Sequence, residues 1–315
     1  MRKLIFVLLV SVMFAGGYVT ASPVDAGLIG GDADWMVRVD IEQFLKSEIG
    51  KIIRTEISER PVEMKLNNFA NVFGFHPIDG LRNITLYGQG RDPDKAVVLV
   101  EGNFNKDRLI ELISRSSEYK KFEYNGIEVH QWLQRKSIVQ DDSEQQLKYG
   151  CFYRDDLIVI GSGLTEFMQA VDVLSGEESG SDEEVFNDTL LQNQDAFIQI
   201  ATTNLAQSIG DHAKAAILKQ AEQLVAIIGE KDESAFATIK LTAGSSEVAQ
   251  NINQILEGVI AFVELSSDER PVLSNLAQNI QLTCSGNTVQ IHIESAPGLI
   301  QQLILNNIEI KELLK

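Results

Sequence analysis

A run of acidic and small residues near the middle of the chain divides the sequence into two parts. Residues Ser175–Asp188 are almost all Gly, Ser, Asp and Glu. Such a composition buries too little apolar area to offset the entropy of ordering the backbone, so it predicts a flexible segment. We place an acidic flexible linker at residues 176–193, between a first domain at 22–175 and a second domain at 194–315.

The first 21 residues have the three parts of a secretory signal peptide. Arg2 and Lys3 are basic, Leu4–Ala15 is apolar, and small residues end the segment at Ala21. The apolar run is too short for the roughly 20 residues that cross a bilayer. We therefore expect Sec-type export with cleavage near Ala21-Ser22. The mature protein would be periplasmic or secreted, with no stable membrane insertion.

The chain is strongly acidic, with 27 Lys and Arg against 45 Asp and Glu and a net charge of -18. Cleavage of the signal would remove Arg2 and Lys3, which makes the net charge about -20. A surface of this charge is repelled by nucleic acid and by anionic lipid headgroups. Nucleic acid is therefore not an expected partner.

Strand and helix patterns alternate through the first domain. Trp35–Val39 predicts a strand, and Asp40 followed by Gln43 predicts the capped start of a helix. Residues 84–100 predict a hairpin, and Asn105 is placed to cap the helix that follows it. Three further strands and a helix ended by Gly176 complete the pattern.

The second domain repeats this order in outline. Ala196–Ile200 predicts a strand, and Ile217, Leu224, Ile227 and Ile228 have the spacing of a long helix. Another strand, a helix, a hairpin after Cys284 and a last helix from Pro297 to Leu305 follow. We predict internal duplication: an α+β fold of two related halves, each an antiparallel-rich sheet with helices packed on one face.

The two cysteines give little chemical information. Cys151 and Cys284 would occupy matching hairpin positions in the two halves, and whether they pair is left open. The histidines are widely separated, and none has the two-histidine helical spacing of a zinc protease. We expect His130 and His292 to point outward from strands.

Motif searches find no recognisable enzyme site. Gly161-Ser162-Gly163 lacks the spacing of a nucleophile elbow, and Gly88-Gln89-Gly90 leads into a turn where a phosphate loop would lead into a helix. Paired carboxylates lie in polar turns, without the shielding that separates the pKa values of catalytic acids. We expect no enzyme activity and assign no catalytic, cofactor-binding or metal residue. Several first-half aromatic residues either line a ligand groove or fill the core: Phe73, Phe75, Tyr87, Tyr124 and Trp132.

Three stretches of the first half resemble a known group of proteins. They are Phe73-Gly74-Phe75-His76-Pro77 running on to Gly88, then Val98–Asn105, and then Tyr124–Trp132. Over residues 35–175 they are similar to uncharacterised secreted bacterial proteins of the planctomycete-type exported α+β family. The resemblance implies an exported α+β protein and supplies no catalytic residues.

These patterns favour a non-enzymatic binding or interaction module of the cell envelope. Its partner would be an unknown protein or a small ligand. The alternative is a periplasmic hydrolase with a site between the two halves, since clefts between domains are common ligand sites.

Overall fold

The computed structural model describes residues 24–58, 62–135, 145–206, 218–265 and 271–299. Within these ranges no helix is both long and apolar enough to cross a bilayer. The predicted signal peptide at residues 1–21 lies outside them, and so does most of the predicted last helix.

The described ranges contain helices and one large antiparallel sheet, which is an α+β fold. The helices are α1 (Ile41–Lys46), α2 (Glu48–Ser58), α3 (Val62–Phe73), α4 (Pro77–Gly80), α5 (Lys106–Ser114), α6 (Leu164–Ser175), α7 (Ser246–Leu265) and α8 (Pro271–Ala277). The strands are β1 (Trp35–Asp40), β2 (Leu81–Gly88), β3 (Ala96–Gly102), β4 (Lys120–Tyr124), β5 (Ile127–Arg135), β6 (Gln145–Arg154), β7 (Leu157–Gly161), β8 (Ala196–Thr202), β9 (Ala221–Lys231), β10 (Ser234–Ala243), β11 (Ile280–Ser285) and β12 (Thr288–Ser295).

All twelve strands of the described residues belong to one sheet, where the sequence predicts one sheet per half. The strand order is β11-β12-β10-β9-β8-β1-β2-β3-β7-β6-β5-β4. The halves join because β1 pairs antiparallel with β8, from Trp35 opposite Thr202 to Val39 opposite Ile198. From this junction the order is β1-β2-β3-β7-β6-β5-β4 on one side and β8-β9-β10-β12-β11 on the other. Internal duplication stays a prediction.

Helices cover both faces of the sheet, which differs from the predicted single face. Met36 and Val39 of β1 point to opposite faces because side chains alternate along a strand. Met36 packs in one core with Phe167 of α6. Val39 packs in a second core with Phe44 of α1. A central strand of this kind is buried on both sides, so its sequence gives no indication of which face is covered.

The segment predicted as a flexible linker is built into the first of these cores. Glu184–Asn187 and Thr189–Gln192 form 3₁₀ helices. Val185, Phe186 and Leu191 are buried there together with residues of both halves. Most acidic residues of this segment are exposed to solvent. Its few apolar residues pack against the sheet on the other side.

One predicted helix is wrong. Residues 221–231 form β9, in which Val225 and Ile227 face one core while Leu224 faces another. A strand buried on both faces lacks polar alternation, so its apolar residues also fit helical spacing. Ile217, which we placed on the same helix, lies outside the described residues.

Local capping signals are confirmed. The Asp40 carboxylate accepts a hydrogen bond from the Gln43 N–H at 2.7 Å at the start of α1. Gly176 ends α6 in the left-handed conformation, with φ of 78°.

Candidate ligand-binding cleft

A cleft lies where the chain enters β2 and leaves β3. Gly74 ends α3 with φ of 78°, and a Cβ atom at this position would lie 2.9 Å from the Cγ atom of Arg108. The turn therefore needs glycine for its backbone angle and also for the close approach of α5. It brings the short helix α4 alongside the start of α5.

The far side of the cleft is fixed by a contact between two backbone segments. The Asn103 N–H donates a hydrogen bond to the Gly80 carbonyl at 2.6 Å. A Cβ atom on Gly102 would lie 2.3 Å from the same oxygen. Both glycines are buried, so this crossing is a rigid part of the framework.

Helix α5 is tied to the framework at its first turn. The Asn105 side-chain oxygen accepts from the Arg108 N–H at 3.0 Å and caps the helix as predicted. The Arg108 Nε atom donates to the Val72 carbonyl at 2.9 Å, which links α5 to α3.

Aromatic rings support the cleft from beneath. Phe75 makes edge-to-face contacts with Phe104 and with Phe69, each with ring centroids 5.4 Å apart. Phe73 stacks on Phe69 at 4.1 Å. Such ring pairs add stabilisation beyond the area they bury, so this floor should hold its shape.

The lining of the cleft is mainly polar. The cleft has a volume of about 530 Å³ and is open to solvent, and its lining includes His76, Asp79, Asn103, Lys106 and Asp107. The His76 Nδ1 atom lies 3.3 Å from an Asp79 carboxylate oxygen. The Lys106 ammonium lies 5.3 Å from the centre of the Phe152 ring, a cation–π distance.

These groups provide hydrogen-bond donors and acceptors, with charges of both signs, within one recess. The lining contains no serine, threonine, cysteine or tyrosine. A nucleophilic mechanism that depends on a side-chain hydroxyl or thiol therefore has no nucleophile among the residues that line the cleft. The arrangement is suited to holding a polar ligand.

Of the five aromatic residues that either line a groove or fill the core, Phe75 is the one found in the lining of the described cleft. Tyr87 is buried in the first core and lines a separate cavity of about 60 Å³. Tyr124 of β4 donates its hydroxyl proton to Asp172 of α6 at 2.7 Å and is not among the residues that line the cleft. Lys106 and Asp79 were not singled out from the sequence, because isolated charged residues in turns resemble ordinary solvated charge.

The predicted outward position of His130 is wrong. Its side chain is only 2% exposed, and its Nδ1 atom lies 3.0 Å from the Tyr119 hydroxyl. Burial lowers the pKa of this imidazole from its ordinary value. His292 on β12 is 30% exposed and contacts the Thr238 hydroxyl at 2.9 Å.

Both cysteines are free thiols. Cys151 on β6 is buried, and burial raises the pKa of its thiol to about 12. Cys284 on β11 is exposed. Across the described ranges, no three His, Cys, Asp or Glu side chains come together to hold a metal ion.

Comparison with known proteins gives information on the fold alone. No family model matches the chain, and no curated protein matches it. The structure is similar to crystal form III of TP0453, with a TM-score of 0.50 and 11% identity over 90% of this chain and 98% of that chain. Crystal form I of TP0453 gives a TM-score of 0.46 at 11% identity, over 91% of this chain and 98% of that chain.

Proposed function

We propose that this chain is an exported, non-enzymatic binding protein of the cell envelope, which holds a small polar ligand in the cleft beside α5. The observation that carries the proposal is the polar lining of a recess of about 530 Å³. Ligand sites usually occupy about 300–1,000 Å³ and place a few polar groups over an apolar base. Phe75 and Phe104 provide such a base here.

Export is supported by the sequence of residues 1–21, with its basic start and short apolar run. The planctomycete-type resemblance supports the same location. An envelope protein with a net charge near -20 would also stay clear of nucleic acid and anionic lipid. Nucleic acid and anionic membranes are therefore not expected as partners.

The alternative function, a hydrolase with its site between the halves, has less support. Where the halves meet, β1 and β8 are joined by a continuous antiparallel ladder over residues 35–39 and 198–202. All residues that line the described cleft belong to the first half.

The test is to identify what the protein retains when it is purified from its own envelope. Native mass spectrometry would compare the wild-type chain with Lys106→Glu, which reverses a charge in the cleft. The substitution should not unfold the protein, because an acidic residue is favourable in the first turn of a helix. Lys120→Glu on β4 is the matched control, since Lys120 is also exposed and lies outside the cleft.

We expect a bound small molecule in the wild-type and Lys120→Glu proteins and its loss from Lys106→Glu. Equal retention by all three proteins would place the ligand elsewhere. Turnover of a substrate that one point substitution abolishes would support the hydrolase.

A further inference from the structure

The two edges of the sheet differ in how well they are protected against pairing with another strand. The described strand order ends with β4 on one side and with β11 on the other. An edge strand has backbone N–H and C=O groups on its outer side that can bond to a further strand. Natural proteins protect such edges with lysine, with proline or with a bulge. The residues of the two edges therefore indicate which one can accept a partner.

The β4 edge is protected by charge. Three of its five residues are charged and exposed: Lys120, Lys121 and Glu123. The Lys121 ammonium lies 2.9 Å from a carboxylate oxygen of Glu128 on β5. A strand that paired with β4 would have to pack beside these charges. This edge is therefore a poor site for a further strand.

The β11 edge has none of these protections. Its sequence is Ile-Gln-Leu-Thr-Cys-Ser, with no charged residue and no proline. Its pairing with β12 is regular and has no bulge, from Ile280 opposite Ile293 to Ser285 opposite Thr288. Within the described ranges, no strand pairs with the outer side of β11. The strand therefore presents a regular, uncharged edge.

The side chains of β11 alternate in a way that suits pairing with an identical strand. Leu282 packs in the core beneath α7, and Ile280 and Cys284 share its face because side chains alternate along a strand. Gln281 and Thr283 lie on the other face and are exposed. A two-fold axis through Leu282 would place apolar residues opposite apolar ones and polar residues opposite polar ones. The opposing residues would be Leu282 with itself, Ile280 with Cys284, and Gln281 with Thr283.

We propose that β11 pairs antiparallel with β11 of a second copy of this chain, so that the sheet continues across a two-fold axis. Such an axis brings the same surface of each copy into contact, and the alternation of β11 is complementary to itself. Charge also favours this occupant. The chain has a net charge of -18, but β11 brings no charged side chain to the contact. Two copies can therefore pair along β11 without placing like charges opposite each other.

The pairing is expected to be weak. Two strands of six residues bury much less than the roughly 1,600 Å² of a standard protein interface. We therefore expect monomer and dimer to exchange, with a dissociation constant between about 1 µM and 1 mM. This proposal does not depend on the ligand cleft beside α5, because no residue of that cleft belongs to β11.

Sedimentation equilibrium tests the proposal with the chain from Ser22, the proposed mature start, to Lys315. We expect the average mass to rise from one chain toward two between about 1 µM and 1 mM. Thr283→Lys should raise the dissociation constant about tenfold or more, because a lysine on an edge strand opposes pairing. Ser117→Lys is the matched control, since Ser117 is also exposed, lies outside β11 and gains the same charge.

Cross-linking tests where the two copies meet. Cys284 is an exposed thiol, whereas Cys151 is buried and the pKa of its thiol is raised to about 12. In the proposed register the Cα atoms of the two Cys284 residues would lie about 14 Å apart, from a rise of about 3.4 Å per residue. A bismaleimide reagent of matching length should join two wild-type copies through Cys284. Thr283→Lys should give much less of this product at the same concentration.

Gln281→Lys covers the case in which circular dichroism shows that Thr283→Lys folds poorly. The mass of a single chain at every concentration would overturn the proposal. A dimer that neither lysine variant weakens would also overturn it, since that dimer would use another surface. Hydrogen exchange of the monomer provides a third test. Slow exchange of every β11 amide would show that the chain covers its own edge, and it would contradict pairing with a second copy.

Discussion

Replacing Phe186 with alanine should lower the free energy of unfolding by about 3–5 kcal/mol. Phe186 lies in the acidic segment between the halves and is fully buried in the core that also contains Met36 and Phe167. Removing its ring would leave a cavity beside β8 and β9, the strands that its 3₁₀ helix contacts. This loss is expected only if the segment is part of the core, since a phenylalanine in a flexible linker would contribute little.

The assay is urea unfolding followed by far-UV circular dichroism and by tryptophan fluorescence, which reports on Trp35 and Trp132. A thermal scan should show a lower midpoint by about 6–20 °C, from roughly 2–4 °C per kcal/mol. Glu184→Ala is the control, because Glu184 is exposed in the same 3₁₀ helix and should change stability by no more than about 0.5 kcal/mol. Equal stabilities for the two variants would refute the packed position of this segment.

Three further predictions concern single side chains. Iodoacetamide at pH 8 should modify Cys284 in the native protein and leave Cys151 unmodified, because burial raises the pKa of the Cys151 thiol to about 12. The mass of the intact protein should show one adduct, and two adducts would contradict the burial of Cys151. Burial lowers the pKa of His130, so the unfolded chain takes up a proton near pH 6.5 that the folded chain resists. Stability should therefore fall as the pH drops below 6.5, and urea titrations at several pH values should show a shallower fall for His130→Gln. Gly258→Ala, in open space on α7, should stabilise the protein by about 0.5–1 kcal/mol, whereas Gly102→Ala should destabilise it by a larger amount, because its Cβ atom would collide with a carbonyl oxygen.

The sequence predicts well those features that depend on a few neighbouring residues. The helix cap at Asp40, the cap at Asn105 and the end of α6 at Gly176 are each set by one side chain and the adjacent backbone. The hairpin of β2 and β3 is predicted for the same reason. These signals do not depend on which strands pair at a distance.

Pairing between strands that are distant along the chain has no local sequence signal comparable to a helix cap. The β1–β8 junction joins residues about 160 positions apart, and nothing local in Trp35–Val39 indicates which strand lies beside it. The acidic segment misled the prediction because its average composition outweighs its four apolar residues, Val185, Phe186, Leu190 and Leu191. Those residues decide its position, since they pack into the core that contains residues of both halves.

The position of the cleft follows from the β2–β3 hairpin once the pairing of its strands is known. In the β2–β3 hairpin Leu81 lies opposite Gly102, so the residues just outside the two strands must be neighbours. That register brings residues 74–80 beside residues 103–107. The predicted hairpin therefore implies that the two segments lining the cleft are neighbours. It does not predict the depth of the cleft or the aromatic residues beneath it.

The central claim is that the recess beside α5 is the ligand site, and backbone amide chemical shifts test it most directly. Isotope-labelled protein, starting at the proposed mature residue Ser22, would be titrated with the small-molecule fraction of the proposed location, the cell envelope. We predict shift changes at residues 74–80 and 103–107, which disappear in Lys106→Glu. Changes confined to the β1–β8 junction, or unaltered by Lys106→Glu, would contradict the account.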